Sequence, residues 1–542
     1  MNGRWTLVLP LLTACTGLVG QIDDGARQVL PVDEPPMDDV VTPTSCDPSL
    51  DVASPLPARV WRLTDRQLGQ VYAGIDGSLT VPFRSAASER ELFDNNRLQL
   101  GLEDKTVEDL VKISEDNAPI LRAALVDDVP CLNGALDEGC ILEAVARAQT
   151  LLFRRPLEAD ETSIIQTRVR ADLAEGTPEE VLDLQLQLSL AHPSAVFRTE
   201  VGDGTRLTPY EIANVLSFGL RNAPPDAALM AKAADGTLGN EETLRAEARR
   251  LVEESDGAIV ADFLAQIFKI TRVESSAIGD SVLEDYDLDN GTRLYNEGYS
   301  FLAGLMANEA TVESVFTSTS YEFSDETELH YQTLDGTAEA QDRNAAERRG
   351  ILGHPAFLVG WSRINDTDPV HKGIFMRRRL FCQEIPPPPP VQDVFDLPDD
   401  PGLTFREKLE THVGVAECAG CHARMEMLSY PLESFDPAGR YRLTEADKPI
   451  DTTGEILDSE FTNQTVQHAG ELSEVLGGSP DVAACFTSHA FRFLTGEVAT
   501  AEQACELRRY FDALQGANGD LTELFLAIVT SDYFLNRAGG QR

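Results

Sequence analysis

The sequence predicts a mainly α-helical protein built from several domains, and three observations predict it. Apolar residues recur at helical spacing through most of the chain, period-two alternation is rare, and 542 residues exceed what one core holds. The first clear helix starts near residue 63, where Leu63, Leu68, Val71, Tyr72 and Ile75 fall on one face and Thr64 or Asp65 can cap the start. The same pattern returns at 106–125, 139–154, 159–174, 178–190, 208–220, 240–253, 258–269 and 292–306. Asn222-Ala-Pro-Pro-Asp226 breaks two helices with a loop. The stretch 317–350 is polar and rich in Thr, Glu and Asp, and is expected to be a long surface excursion. Five prolines, Pro386 to Pro390, are expected to form a stiff spacer without internal hydrogen bonds, followed by an acidic linker from Asp393 to Gly402. Residues 478–537 read as a compact helical unit ending in the apolar run Leu524 to Val529.

These breaks divide the chain into a leader (1–15), a flexible tether (16–58), an N-terminal helical domain (59–200), a central helical domain (201–345), a domain with the proline spacer and a cysteine motif (346–450), and a small C-terminal helical domain (451–542). The composition is that of a globular chain, 42% hydrophobic and 25% charged. Forty-five basic residues, 38 Arg and 7 Lys, against 90 acidic ones give a net charge of −45. That balance repels phosphate backbones, so no nucleic-acid partner is expected. Neutral or cationic partners are.

The start of the chain sets the compartment. Arg4, the apolar run Trp5 to Leu12 and the tetrad Leu12-Thr-Ala-Cys15 form a segment too short to span a bilayer. It is similar to a bacterial lipoprotein signal, which makes Cys15 the acylated residue and the membrane a partner through its lipid. Thr16 in place of Asp after that cysteine leans towards the outer membrane, facing periplasm or cell surface. A plain signal peptide is the alternative. Nine cysteines are present. Setting aside Cys15 and the close pair Cys418 and Cys421 leaves Cys46, Cys131, Cys140, Cys382, Cys485 and Cys505, an even set as expected for disulfides in an oxidising compartment. Six cysteines allow fifteen pairings. Spacing suggests Cys131 with Cys140 across a Leu-Asn-Gly turn, and Cys485 with Cys505 on two helical stretches joined by Gly496. That leaves Cys46 with Cys382, with buried free thiols as the alternative.

One motif carries chemistry. Cys418-Ala-Gly-Cys-His422 is CxxCH, the attachment signature of c-type haem. Two thiols three residues apart bind the vinyl groups of one porphyrin, and His422 ligates the iron as proximal ligand. The expected cofactor is one covalent haem c. A Cys418–Cys421 disulfide and a zinc site are the alternatives, and the absence of a second CxxC weighs against zinc. Met425 and Met427 follow too closely to reach the opposite face of a haem, and no later Met exists. Candidates for the sixth ligand are therefore His412, His468, His489, His354 and Met376. Arg440 and Arg442 suit haem propionates, or ordinary ion pairs. Asp285-Tyr-Asp287-Leu-Asp289-Asn290-Gly291 alternates carboxylates like a calcium loop, but Gly291 is seventh and Asn296 twelfth, the wrong register.

The segment Cys418 to His422, followed by Pro431-Leu-Glu-Ser-Phe-Asp436 and Gly439-Arg-Tyr-Arg442, resembles the cytochrome c-like region of a family of exported multidomain proteins. That family is known from planctomycetes and myxobacteria as strings of domains of unknown function. Leu63-Thr-Asp-Arg-Gln-Leu68, Phe153-Arg-Arg-Pro-Leu157, Ala191-His-Pro-Ser-Ala-Val-Phe-Arg198, Leu207-Thr-Pro-Tyr-Glu-Ile-Ala-Asn214, Pro224-Pro-Asp226, Arg349-Gly-Ile-Leu-Gly-His-Pro355 and Phe381-Cys-Gln-Glu-Ile-Pro386 are similar to its other signatures. The resemblance covers most of residues 60–537. It departs where members carry Asp-Pro-hydrophobic-Gly after the CxxCH histidine and this chain has Glu426-Met-Leu-Ser429. The resemblance implies an architecture rather than a reaction. Single-electron transfer with a cationic redox partner is the expected activity. The alternatives are a haem enzyme with an open sixth position acting on a small-molecule substrate, and a non-redox surface lipoprotein binding polysaccharide, with CxxCH as a staple.

Overall fold

The computed structural model describes residues 41, 43, 46, 55–81, 92–95, 100, 104–284, 286–308, 310–385, 398, 400–413 and 416–540. Cys15 and the expected lipoprotein signal, most of the expected tether, and the proline run Pro386 to Pro390 lie outside them. The fold is mainly α, as its periodicity requires. Helix starts follow local chemistry. Thr64, Thr177 and Thr208 each accept a hydrogen bond from the third residue of the helix they precede, and Gln67, Glu180 and Glu211 reach back to complete capping boxes. Among the described residues no helix is long and apolar enough to cross a membrane.

The chain divides into two compact units. The first gathers Pro55–Ala248 and the C-terminal end from Asp532. Its helices Asp104–Ala124, Glu138–Phe153, Ala159–Leu173 and Pro178–Leu190 enclose an apolar core around Leu121, Ile141, Leu152, Leu182 and Leu186. Short ladders close it. Arg59–Arg62 pairs antiparallel with Phe197–Glu200, while Leu56–Pro57 runs parallel to Arg537–Ala538. The end of the expected tether is therefore a strand, because its partner lies some 480 residues away in sequence and composition carries no sign of it. Arg59, Arg198 and Arg537 converge on buried Glu200. Burial alone would raise that carboxyl, but the three guanidiniums outweigh it and hold it well below the usual carboxylate range. Trp61 lies between two of them, 4.6 Å from Arg59 and 4.0 Å from Arg198.

The second unit gathers Arg249–Ser531 with Cys46. Its centre is aromatic: Phe268 meets Phe316, Phe357, Phe375 and Phe486, and Phe263 meets Phe486, Phe493 and Phe525. These rings tie helix Ala258–Phe268 to Pro369–Leu380, Pro480–Thr495 and Leu521–Val529. Two readings of the sequence need correction in this unit. Residues 317–350 are a surface excursion only in part: Phe323 and Leu334 are exposed, but Thr327, His330, Tyr331, Ala340, Glu347 and Arg348 are buried. Most of their polar groups are buried with a partner. Thr327 donates to Glu297 at 2.5 Å, Tyr441 donates to Glu347 at 2.9 Å, and Arg348 donates to the Gly353 and Gly439 carbonyls.

The second correction concerns disulfides. All six expected cysteines are bonded, and Cys131–Cys140 forms across its turn. The other pairs are Cys46–Cys505 and Cys382–Cys485. Cys485 and Cys505 do lie on helices flanking Gly496. However, Cys485 faces Cys382 just past the end of helix Pro369–Leu380, and Cys505 meets Cys46, 459 residues earlier in the chain. Spacing along the sequence registers neither approach.

Candidate functional site

Cys418, Cys421 and His422 lie on one continuous helix, Ala416–Ser429. Ala, Glu, Arg, Met and Leu dominate that stretch and all favour a helix. Pro431, at the start of the following short turn Tyr430–Ser434, cannot continue it. The side chains of Cys418 and Cys421 lie outside the described residues. That of His422 is half-buried, and its Nδ1 is hydrogen-bonded to a carboxylate oxygen of Glu426, one turn further on. Because a carboxylate accepts, Nδ1 carries the proton and any iron bond falls to Nε2. Tyr430, a further turn along, donates its hydroxyl to the second Glu426 oxygen at 3.0 Å. Burial and the Glu426 charge push the Tyr430 phenol far above its ordinary value, so it stays a donor. Arg406 covers the Tyr430 ring at 4.2 Å. The result is a three-member chain, His422–Glu426–Tyr430, with the last two members buried.

Two glycines let the backbone close on this helix. A Cβ at Gly373 would stand 2.0 Å from the Met425 carbonyl oxygen, and one at Gly454 would stand 2.3 Å from that of Met427. Ser429 donates to the Pro369 carbonyl at 2.7 Å, and Arg377 donates to that of Arg424 at 2.9 Å. Phe405, Leu409 and Tyr430, with Val370 and Met427, form the local apolar cluster. Beside it, Lys372 and Glu433 are buried together, Nζ to carboxylate 3.9 Å, and Thr367 donates to the other Glu433 oxygen. Burial pushes the Lys372 ammonium down and the Glu433 carboxyl up.

The remaining sequence candidates are held elsewhere. His354 accepts from the Ala356 N–H at 3.0 Å, meets the Tyr331 hydroxyl at 3.2 Å, and is pushed down to about 3 by burial and Arg348. His468 caps helix Ala469–Gly477. Met376 is wholly buried and Met425 nearly so, while the His412 side chain lies outside the described residues. Arg440 binds Asp436 through two nitrogens at 2.8 and 2.6 Å, and Arg442 meets Glu445 at 3.3 Å, so both make ion pairs within their own loop. Asp287 caps helix Leu288–Gly304, and Asp285 lies outside the described residues. Among the described residues, the one Cys/His/acid group tight enough for a metal is Cys382, Cys485 and His489. Its two thiols are joined as a disulfide, which withholds the thiolates a metal needs. His489 Nε2 lies 3.3 Å from the Cys485 sulfur and 3.0 Å from the Arg379 carbonyl, and burial, reinforced by the Arg379 charge, pushes it down to about 3.

Family models match three stretches of the chain. Each is described as a protein of unknown function: DUF1592 over residues 207–332, DUF1588 over 348–445 and DUF1585 over 462–534. The three matches together support a multidomain family of unknown function. The DUF1588 stretch contains Arg348, the CxxCH helix, helix Pro369–Leu380 with Gly373, and the Lys372–Glu433 pair. The DUF1585 stretch contains Cys485, His489 and Cys505. No curated protein and no solved structure matches the chain. Reasoning from sequence missed Glu426 and Tyr430, although their spacing of four and eight residues from His422 was a readable signal on any helix.

Proposed function

We propose that this chain is an exported, lipid-anchored, c-type cytochrome-like protein carrying one covalent haem, and that it transfers single electrons. The observation that carries the reading is the CxxCH helix, with the His422 ring oriented through Nδ1 by a buried carboxylate. The donor set fits the group: two cysteines and a histidine within one helical turn, the histidine Nδ1 engaged so that Nε2 is the nitrogen for iron. When bound, the haem supplies a one-electron Fe(III)/Fe(II) couple. Cys418 and Cys421 would hold it by thioethers, and His422 would ligate the iron. Glu426 and Tyr430 fix the His422 ring, and Gly373 and Gly454 let the neighbouring backbone hold its helix. The charge of −45 favours a cationic redox partner and makes association salt-sensitive. The lipid on Cys15 would keep the protein at the outer membrane, facing periplasm or cell surface.

A second reading, a haem enzyme with an open sixth position, draws on one observation. Of the five expected sixth ligands, the four with described side chains, His354, His468, His489 and Met376, are engaged in caps, buried contacts or the core. Carbon monoxide added to the reduced, haem-loaded protein separates the two. A spectrum unchanged over minutes supports the electron carrier, and rapid, stoichiometric binding overturns it in favour of the enzyme.

A further inference from the structure

The carboxylate behind His422 goes further than holding a ring. An imidazole that donates Nδ1–H to a carboxylate is a stronger electron donor at Nε2 than one donating to water or to a carbonyl, because the carboxylate draws the proton away and leaves negative charge on the ring. Glu426 is 2% exposed and accepts from His422 with one oxygen and from Tyr430 with the other. In a buried position its charge is little screened. Resting on the haem reading above, we propose that Glu426 is a positioning residue that biases the His422-ligated iron towards Fe(III), and that Tyr430 moderates this bias. The step it governs is Fe(III) plus one electron to Fe(II), the electron arriving from an external one-electron donor. No bond breaks, and the proton stays on Nδ1, shared with Glu426.

The two residues pull in opposite directions, which makes the idea sharp. Replacing the carboxylate by a neutral amide of the same shape, Glu426→Gln, removes charge from the ring and favours Fe(II). Removing the Tyr430 hydroxyl, Tyr430→Phe, takes one hydrogen bond from the carboxylate, concentrates its charge towards His422 and favours Fe(III). A merely structural role would loosen the site in both variants and move them the same way.

The experiment is a spectroelectrochemical titration, with dithionite and ferricyanide as the reducing and oxidising agents. The full-length chain and each variant are produced in a host that matures c-type cytochromes. The expected result is at least a tenfold shift of the equilibrium towards Fe(II) in Glu426→Gln, about 59 mV for one electron, and a smaller shift of opposite sign in Tyr430→Phe. If Glu426→Gln does not accumulate, the Tyr430→Phe sign alone decides: a shift towards Fe(III) supports the proposal, and no shift or the reverse overturns it. Haem-loaded variants with unmoved potentials overturn this inference and leave the cytochrome reading standing. A wild-type chain without haem overturns both.

Discussion

Gly373 offers the most quantitative test of how the CxxCH helix is held. It lies inside helix Pro369–Leu380, where replacing glycine by alanine would ordinarily stabilise the helix by about 0.8–1 kcal/mol. Here the added Cβ would fall 2.0 Å from the Met425 carbonyl oxygen, 2.4 Å from its carbon and 3.0 Å from its Cα. All three are backbone atoms of the CxxCH helix, so no side-chain rotation relieves them, and the two helices must separate by roughly 1 Å to restore a tolerable contact. Overpacking of that kind costs about 1–3 kcal/mol and more when backbone must move. The clash therefore outweighs the propensity gain, and Gly373→Ala should lose about 2 kcal/mol net. At roughly 2–4 °C per kcal/mol for a unit of this size, its calorimetric transition should fall by about 4–8 °C. Gly516→Ala is the control: nothing lies within 4 Å of its Cβ, at the end of helix Ala504–Gly516, so that variant should melt at or slightly above wild type. A Gly373→Ala protein as stable as wild type would refute the packing argument.

Other expectations follow from the same interactions. Peptide mapping without reduction should recover Cys46 linked to Cys505 and Cys382 linked to Cys485; the cross-pairs Cys46–Cys382 and Cys485–Cys505 would contradict the fold of the second unit. Removing Cys382–Cys485, which closes a separation of 103 residues, should cost up to about 4.7 kcal/mol in denaturant, against less than about 3 kcal/mol for Cys131–Cys140 with a separation of 9. Lys372→Met should destabilise by about 3–5 kcal/mol because it strands the buried Glu433 carboxylate, while Lys372→Met/Glu433→Leu should recover much of the loss, a coupling that a double-mutant cycle in urea measures. His354 and His489 are both pushed down to about 3, so between pH 6.5 and 3 the unfolded chain binds protons that the folded chain refuses, and stability must fall as pH falls through that window. A His354→Gln/His489→Gln variant should show a stability-versus-pH slope shallower by up to two protons; an unchanged slope would mean that these imidazoles are not buried neutral.

How much of this was legible in the sequence depends on how far apart the interacting residues lie. Helices were, because the Leu63–Ile75 stripe and the Thr64, Thr177 and Thr208 caps are local. The strands around Glu200 were not: Leu56 pairs with Arg537, and Arg59 with Glu200, over separations that no periodicity encodes. The same holds for Cys46–Cys505. The 317–350 stretch misleads in part, for another reason. Its polarity implies water only while its groups lack partners, and Glu297, His354 and Tyr441 supply them from elsewhere in the chain. At the candidate site CxxCH stands out by residue type alone, whereas Glu426 and Tyr430 were two among many acids and aromatics until the helix put them in line with His422.

The central claim is that Cys418, Cys421 and His422 hold a haem. The most direct measurement is a pyridine haemochrome spectrum with intact mass on the full chain from a cytochrome c-maturing host, beside the Cys418→Ala/Cys421→Ala variant. The account predicts a c-type band and the added mass of one haem, both lost in the variant. A colourless wild-type protein with no added mass would contradict it, and the CxxCH helix would then be a staple in a binding lipoprotein.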